Sequence, residues 1–257
     1  MPFQKIEPEK ISSSITHQIE QLILRGVLHP GERLPSEREL AARFEVSRPT
    51  LRDALADLEE QGLIVTRPGS GAFVAQVLGS AFAPALVALF SKHDEAFFDY
   101  LSFRRDLEGM AAERAAEFAN ETDIAVITSI FNRMEIAHEK RNPTEEAKLD
   151  AEFHSAIVEA AHNVVMLHMM RSMFEMLQAG VFYNRQILFG TRSTRDQLLD
   201  QHRAIFNAII GRDPDGARSA VEAHLGFIEE MMHRRAHDSR NDEAAKQRFA
   251  HEQERKK

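Results

Sequence analysis

The sequence predicts a mainly α protein: an N-terminal winged helix-turn-helix followed by a C-terminal all-α antiparallel helical bundle. Three observations predict it. Residues 1–78 carry three short amphipathic patterns, then two strand-like runs around Pro68-Gly69-Ser70-Gly71. Residues 79–235 hold six or seven helix-length patterns separated by helix-stopping turns, with no convincing strand alternation. Residues 236–257 are polar throughout and read as a tail, either frayed helix or disordered.

In the first part, Ile15, Ile19, Leu22 and Ile23 share one face of a helix over Ile11–Arg25, which Gly26 and His29-Pro30-Gly31 end. Ser36 and Glu39 form a capping box ahead of a second helix whose Leu40 and Phe44 face inward. After a short turn at Glu45-Val46, Ser47 caps a third helix, with Pro49 in its first turn and Leu51, Leu55 and Leu58 as its buried stripe. Gly62 suits the position just past its end. LIVTR and AFVAQV then flank a tight turn, a β-hairpin. In the second part, Asp94 is the expected cap of a helix through Phe118, and Thr122 of the next, which Asn142-Pro143 stops. Thr144 opens a helix to about Ala161 and Asn163 another towards Gly190. Two more follow, Arg195–Ile210 and Pro214–Arg235, around the turn Gly211-Arg212-Asp213.

Composition narrows the function. The 257 residues carry a net charge of −8, against a protein that coats nucleic acid by bulk charge. Cysteine is absent, which excludes disulfides, a thiolate nucleophile and Cys-ligated zinc or iron–sulfur, and fits a reducing cytosol. The first ten residues lack the apolar core of a signal peptide, and the longest apolar stretch, Ala81–Phe90, is too short for a membrane span and contains Pro84. A soluble, cytoplasmic protein with no membrane partner is expected.

A helix-turn-helix reads DNA with the N-terminal end of its second helix in the major groove. Here that end is Ser47-Arg48-Pro49-Thr50-Leu51-Arg52, and Arg48 and Arg52, four apart, leave one side of the helix. Arginine forks match guanine edges or phosphates, and hydroxyls suit phosphates. Arg38 and the wing tip flank the same surface. An Arg-xxx-Arg pair alone is commonly a solvated helix face; the surrounding helices and wing point to DNA instead. The run PGERLPSERELAARFEVSRPTLRDALADLEEQGLIVTRPGSGAFV resembles the DNA-binding domain of the GntR family of bacterial transcription regulators, over about 65 residues. The resemblance implies DNA contacts by Arg38, Ser47, Arg48, Thr50, Arg52 and Gly69. Some relatives carry a histidine in the wing where this chain has Pro68.

The helical part holds a second constellation. Asp150 and His154 lie four apart in KLDAEFHSAIVEAA, while His202 and His224 fall within apolar stripes of two other helices. Three inward imidazoles are costly to bury without partners. The pattern is compatible with three separately hydrogen-bonded core histidines or with one shared divalent cation: Zn²⁺, Ni²⁺, Fe²⁺ or Mn²⁺. FFDYLSFRRDLEGMAAERAA, LDAEFHSAIVEAAHNVVMLHMMR and QHRAIFNAIIGRDPDGARSAVEAHL resemble the effector (FCD) domain of the FadR subfamily. That resemblance implies a metal, with zinc foremost, held by Asp150, His154, His202 and His224, and an effector-facing arginine, Arg104. Such a guanidinium would clamp a carboxylate bidentately. Arg104 could instead pair with Glu108 on the helix surface, four residues on.

Within the subfamily, VEAAHNVVMLHMMR and the domain lengths look closest to pyruvate-responsive repressors. Some of those lack the full metal set, which keeps lactate- and glycolate-type 2-hydroxy acids in play. The expected function is thus a regulator, a repressor, that binds a palindromic double-stranded DNA operator as a homodimer. A small 2-oxo or 2-hydroxy acid, such as pyruvate, would switch it. The alternatives are a constitutive DNA-binding scaffold and a metal-dependent hydrolase with an appended DNA-binding domain. The hydrolase lacks a general base, since no carboxylate besides Asp150 is expected on an inward stripe.

Overall fold

The computed structural model describes residues 11–75, 84–90, 92–178 and 192–255. Two compact units emerge, Met1–Ala81 and Phe82–Lys257. The expected boundary at 78/79 and the end of the helix predicted to reach Gly190 fall outside the described residues.

In the first unit, α1 (Ile11–Leu24) and α2 (Glu37–Arg43) pack on α3 (Arg48–Glu60), and β1 (Ile64–Arg67) pairs antiparallel with β2 (Gly71–Val74). The helix ends follow the local chemistry of the sequence. Ser36 and Glu39 complete the capping box on α2, and the Ser47 side chain accepts the Thr50 N–H at the start of α3. At the end of α3, Gly62 takes φ +73°, its N–H bonds to Glu59 O, and Leu63 N–H bonds back to Leu58 O. That is a Schellman stop, which the missing Cβ makes possible. Leu51, Ala54 and Leu58 on α3 are fully buried against Ile15 and Ile19 of α1 and Ile64 and Val74 of the hairpin.

The second unit contains α4 (Pro84–Phe90), α5 (Asp94–Phe118), α6 (Glu121–Glu139), α7 (Pro143–Ala160), α8 (Val164–Gln178), α9 (Arg192–Ile210) and α10 (Pro214–Arg255). No strand interrupts it among the described residues. Ala111, Ala112, Ala115 and Ala116 give α5 a smooth inner face, buried in one core with Ala217, Val221, Leu225 and Ile228 of α10. Salt bridges Arg105–Glu229 (2.9 Å) and Arg218–Glu113 (3.0 Å) fix the register of α5 against α10.

Several boundaries differ from expectation. Asn120, not Thr122, caps α6: its side chain accepts from Thr122 N and Asp123 N, and Asp123 returns a bond to Asn120 N. Asn142 caps α7 in place of Thr144. α5 begins at Asp94 itself, with His93 in the cap position and no side-chain bond from it. The residues expected to form a separate polar tail continue α10 to Arg255 without a break. No Gly or Pro occurs between Phe227 and Arg255, and i,i+4 pairs such as Glu230–Arg234 and Asp242–Lys246 support the exposed helix.

Candidate functional site

Two constellations are built by these elements, one in each unit. On the first, Ser47, Arg48 and Arg52 are exposed along the start of α3, with Thr50 half-buried. Glu37 of α2 draws the two arginines together: Arg52 Nε donates to its Oε2 at 2.9 Å and Arg48 Nη2 at 3.4 Å. Arg52's hydrogen bond holds the Glu37 carboxyl below the usual carboxylate range. The Ser47 and Thr50 hydroxyls are 2.7 Å apart and bond each other. Arg38 is exposed on α2, and Gly69 occupies the wing turn with φ +73°. Arg67 lies over the Phe73 ring (4.6 Å), bracing the hairpin beneath that turn. Glu37 was missed by sequence reasoning, since it sits in a run where Glu39 already had a role as a cap.

The second constellation lies in the helical core. Asp150 and His154 come from α7, His202 from α9 and His224 from α10, and all are buried. One ligand atom from each lies within 4.8 Å of the others. His202 Nε2 is 3.1 Å from Asp150 Oδ1 and 3.4 Å from His154 Nε2; His154 Nε2 is 3.8 Å from Asp150 Oδ1. Ligand atoms about 2.1 Å from an ion sit roughly 3.0–3.4 Å from one another, so the cluster is close to a coordination sphere.

The remaining ring nitrogens say which way the lone pairs point. His224 Nδ1 is 2.9 Å from Gln201 Oε1, an acceptor that places the proton on Nδ1. Its Nε2, fully buried, has no hydrogen-bond partner. His154 Nδ1 lies 2.5 Å from Glu108 Oε2, close though off the ideal hydrogen-bond direction, and again only an Nδ1 proton suits a carboxylate there. Both rings therefore turn bare Nε2 atoms toward the same point as His202 Nε2 and Asp150. Lone pairs facing one another in an apolar core repel, and a divalent cation held by these four residues would relieve that repulsion. Burial lowers the pKa of His154, against the pull of Glu108. For His224, burial and then the neighbouring His202 and His154 press the pKa well below the ordinary imidazole value. Neutral imidazoles are the ligand form.

Arg104 and Glu108 of α5 complete the site. They are paired through Arg104 Nε and Glu108 Oε1 and are 1% and 2% exposed, so the pair belongs to the core and not to the helix surface. The Arg104 guanidinium also lies over the Phe174 ring (5.4 Å). Burial would push the Glu108 carboxyl up; Arg104 and then His154 outweigh it and hold it at about 2. The expectation that no inward carboxylate besides Asp150 exists is thus corrected: Glu108 and Glu146 are both buried. Each has a guanidinium partner, Glu146 being bound by Arg195. Period-3.6 patterning missed them because it scores charged residues as outward. An arginine at a fixed i,i+4 offset was the available signal for Glu108.

Comparison with known proteins is consistent across the chain. Residues 11–74 match the family "Bacterial regulatory proteins, gntR family", and residues 99–227 match the FCD domain. An L-lactate dehydrogenase operon regulatory protein of Escherichia coli K12 is 35% identical over 88% of this chain and 88% of its own. The Glc operon transcriptional activator of the same organism is 33% identical over 89% and 91%. A Streptococcus agalactiae GntR structure superposes with a TM-score of 0.53 at 24% identity, over 86% of this chain and 99% of that one, a likeness of fold.

Proposed function

The chain belongs to the GntR family of bacterial regulatory proteins and carries an FCD domain, and on that premise we propose a metal-dependent, carboxylate-switched repressor. The relatives it matches are named as transcription regulators and not as enzymes. Residues 1–78 act as the DNA-binding domain and 79–235 as the effector-binding and dimerisation domain, with α10 beyond 235 as a polar extension. Arg48 and Arg52 read base edges, Arg38, Ser47 and Thr50 hold phosphates, and Gly69 lets the wing backbone approach the duplex. A C₂ homodimer places two copies of α3 on a pseudo-palindromic operator, with half-sites about one helical turn apart. The exposed apolar stripe Phe103–Met110 on α5, seven residues apart, supports a self-associating face. No described helix is long and apolar enough to cross a membrane; its family supports a regulator working in the bacterial cytoplasm.

The carrying observation is the convergence of His154, His202 and His224 ring nitrogens on Asp150 in a buried core, with His224 Nε2 left without a hydrogen-bond partner. Those four residues hold a divalent ion, zinc by donor type, with nickel, iron or manganese as competitors. When bound, the ion supplies a Lewis-acidic point that an effector's carboxylate or hydroxyl oxygen can reach. Arg104, tied to His154 through Glu108, would attract the same carboxylate. The L-lactate dehydrogenase operon relative favours a 2-hydroxy acid such as L-lactate over pyruvate for this chain.

Metal analysis of the purified protein and a thermal-shift series with L-lactate, glycolate and pyruvate test the reading. Approximately one equivalent of metal and stabilisation by one acid, abolished by a chelator, are expected. The same acid should release operator DNA in a gel-shift assay. A metal-free protein that binds no added divalent ion, or an acid response unaffected by the chelator, sinks the proposal.

A further inference from the structure

We propose that Glu108 is a positioning residue that sets the tautomer of His154 and joins the metal ligand to Arg104. The inference rests on the metal reading above and concerns residues that supply no ligand atom themselves. One carboxylate makes both connections: Oε1 takes Arg104 Nε, and Oε2 faces His154 Nδ1 at 2.5 Å. Arg104 donates to Oε1, and His154 Nδ1 lies beside Oε2, close but off the ideal hydrogen-bond direction. Arginine has no acceptor, and the His154 ring must present a proton to a carboxylate. The proton on Nδ1 leaves Nε2 bare, facing His202 Nε2 at 3.4 Å and Asp150. Without Glu108, an imidazole in an apolar core is free to carry its proton on Nε2, where it would bond Asp150 and block the metal.

Carboxylate–imidazole–metal arrangements of this kind orient the ring and raise ligand basicity, and losing the outer partner typically costs about 10–100-fold in metal affinity. His224 is held in the same sense by Gln201, a neutral acceptor at 2.9 Å. The two histidines differ in one respect: only His154 is joined, through a charged acceptor, to an arginine. Arg104 in turn keeps Glu108 ionised and aimed, since both side chains are buried and the pair spans one turn of α5.

Substituting Glu108→Gln separates this role from simple packing. A glutamine has the same shape but one acceptor oxygen, so it cannot satisfy Arg104 Nε and His154 Nδ1–H together; its amide N–H₂ must face one of these donors. Glu108→Asp keeps the two acceptors and the charge on a shorter stem.

The experiment starts with wild-type protein. Nitrogen-15 NMR of the metal-free, histidine-labelled chain should show His154, assigned by its loss in His154→Gln, protonated on Nδ1. An Nε2 proton there overturns the proposal without any Glu108 variant having to fold. Zn²⁺ affinity by chelator competition should then fall about 10–100-fold in Glu108→Gln, with helical content by circular dichroism kept. Glu108→Asp should recover a measurable part of that loss, and the absorption spectrum of the Co²⁺-loaded variant should shift relative to wild type. Unchanged Zn²⁺ affinity in a folded Glu108→Gln also overturns the proposal. Failure of the wild-type chain to bind any divalent ion defeats the metal reading instead, and leaves the tautomer assignment to stand or fall on the NMR result.

Discussion

Arg48 and Arg52 rest on a shared carboxylate in the DNA-free protein, so on the proposed reading operator binding would exchange the Glu37 contacts for base or phosphate contacts. The arginines are more than half exposed, which keeps the exchange inexpensive: a solvated ion pair contributes little. Each arginine then counts on its own. Arg52→Ala or Arg48→Ala should weaken operator binding by about 1–3 kcal/mol, roughly 5- to 150-fold, and narrow the gap between operator and scrambled DNA. Fluorescence anisotropy at one fixed salt concentration reads both quantities, and metal content serves as the control for the untouched helical unit. Wild-type operator affinity in both variants would remove α3 as the reading element.

Helix caps were only partly legible in the sequence, and the reason is physical. Ser36 and Ser47 stand immediately before apolar-periodic runs, and each is the residue that caps. Between α5 and α6, Asn120 and Thr122 are both competent, and spacing does not choose between them. Asn120 wins because Asp123 sits three residues on and returns a bond to its backbone N–H; counted from Thr122, the third residue is Ala125. Asn120→Ala should therefore cost about 1 kcal/mol of stability. Thr122→Ala should stay within about 0.5 kcal/mol, as for an ordinary surface change. Denaturant melts of the two variants at matched pH decide between the assignments; equal losses would return the cap to Thr122. The same logic sorts the site. The clustering of Asp150, His154, His202 and His224 was readable, the first two from their i,i+4 spacing, the last two from apolar stripes, and all four from family motifs. Glu108 and Gln201 were not, since their roles exist only once α5, α7, α9 and α10 pack together and decide which polar groups face inward. The continuation of α10 to Arg255 was unreadable for the opposite reason. A polar, Gly- and Pro-free run is compatible with both exposed helix and coil, and helix propensity alone is a weak guide.

At the scale of the whole chain, charge and cores argue together. Residues 1–78 contain nine Lys/Arg against eleven Asp/Glu, a net −2, and the remaining −6 lies beyond them. Affinity for DNA would then come from a few arginines on one face, multiplied by the proposed dimerisation, with little non-specific binding to fall back on. The apolar cores are likewise separate: the cluster around Leu51, Leu58 and Ile64 shares no residue with the cluster around Phe153, Ile205 and Val221. All four residues proposed as ligands belong to helices of the second cluster. A ligand that binds only the native state stabilises it by RT ln(1 + [L]/Kd), about 2.7 kcal/mol at one hundred times Kd. Metal should therefore raise the melting temperature of the helical unit and leave that of the winged unit in place. Calorimetry of the full chain, with chelator and then with increasing Zn²⁺, should resolve two transitions, only one of which climbs with the logarithm of free metal. Asp150→Ala or His202→Ala should flatten that climb. Movement of both transitions by the same amount would mean that the units unfold as one, and that the metal stabilises the DNA-reading surface directly.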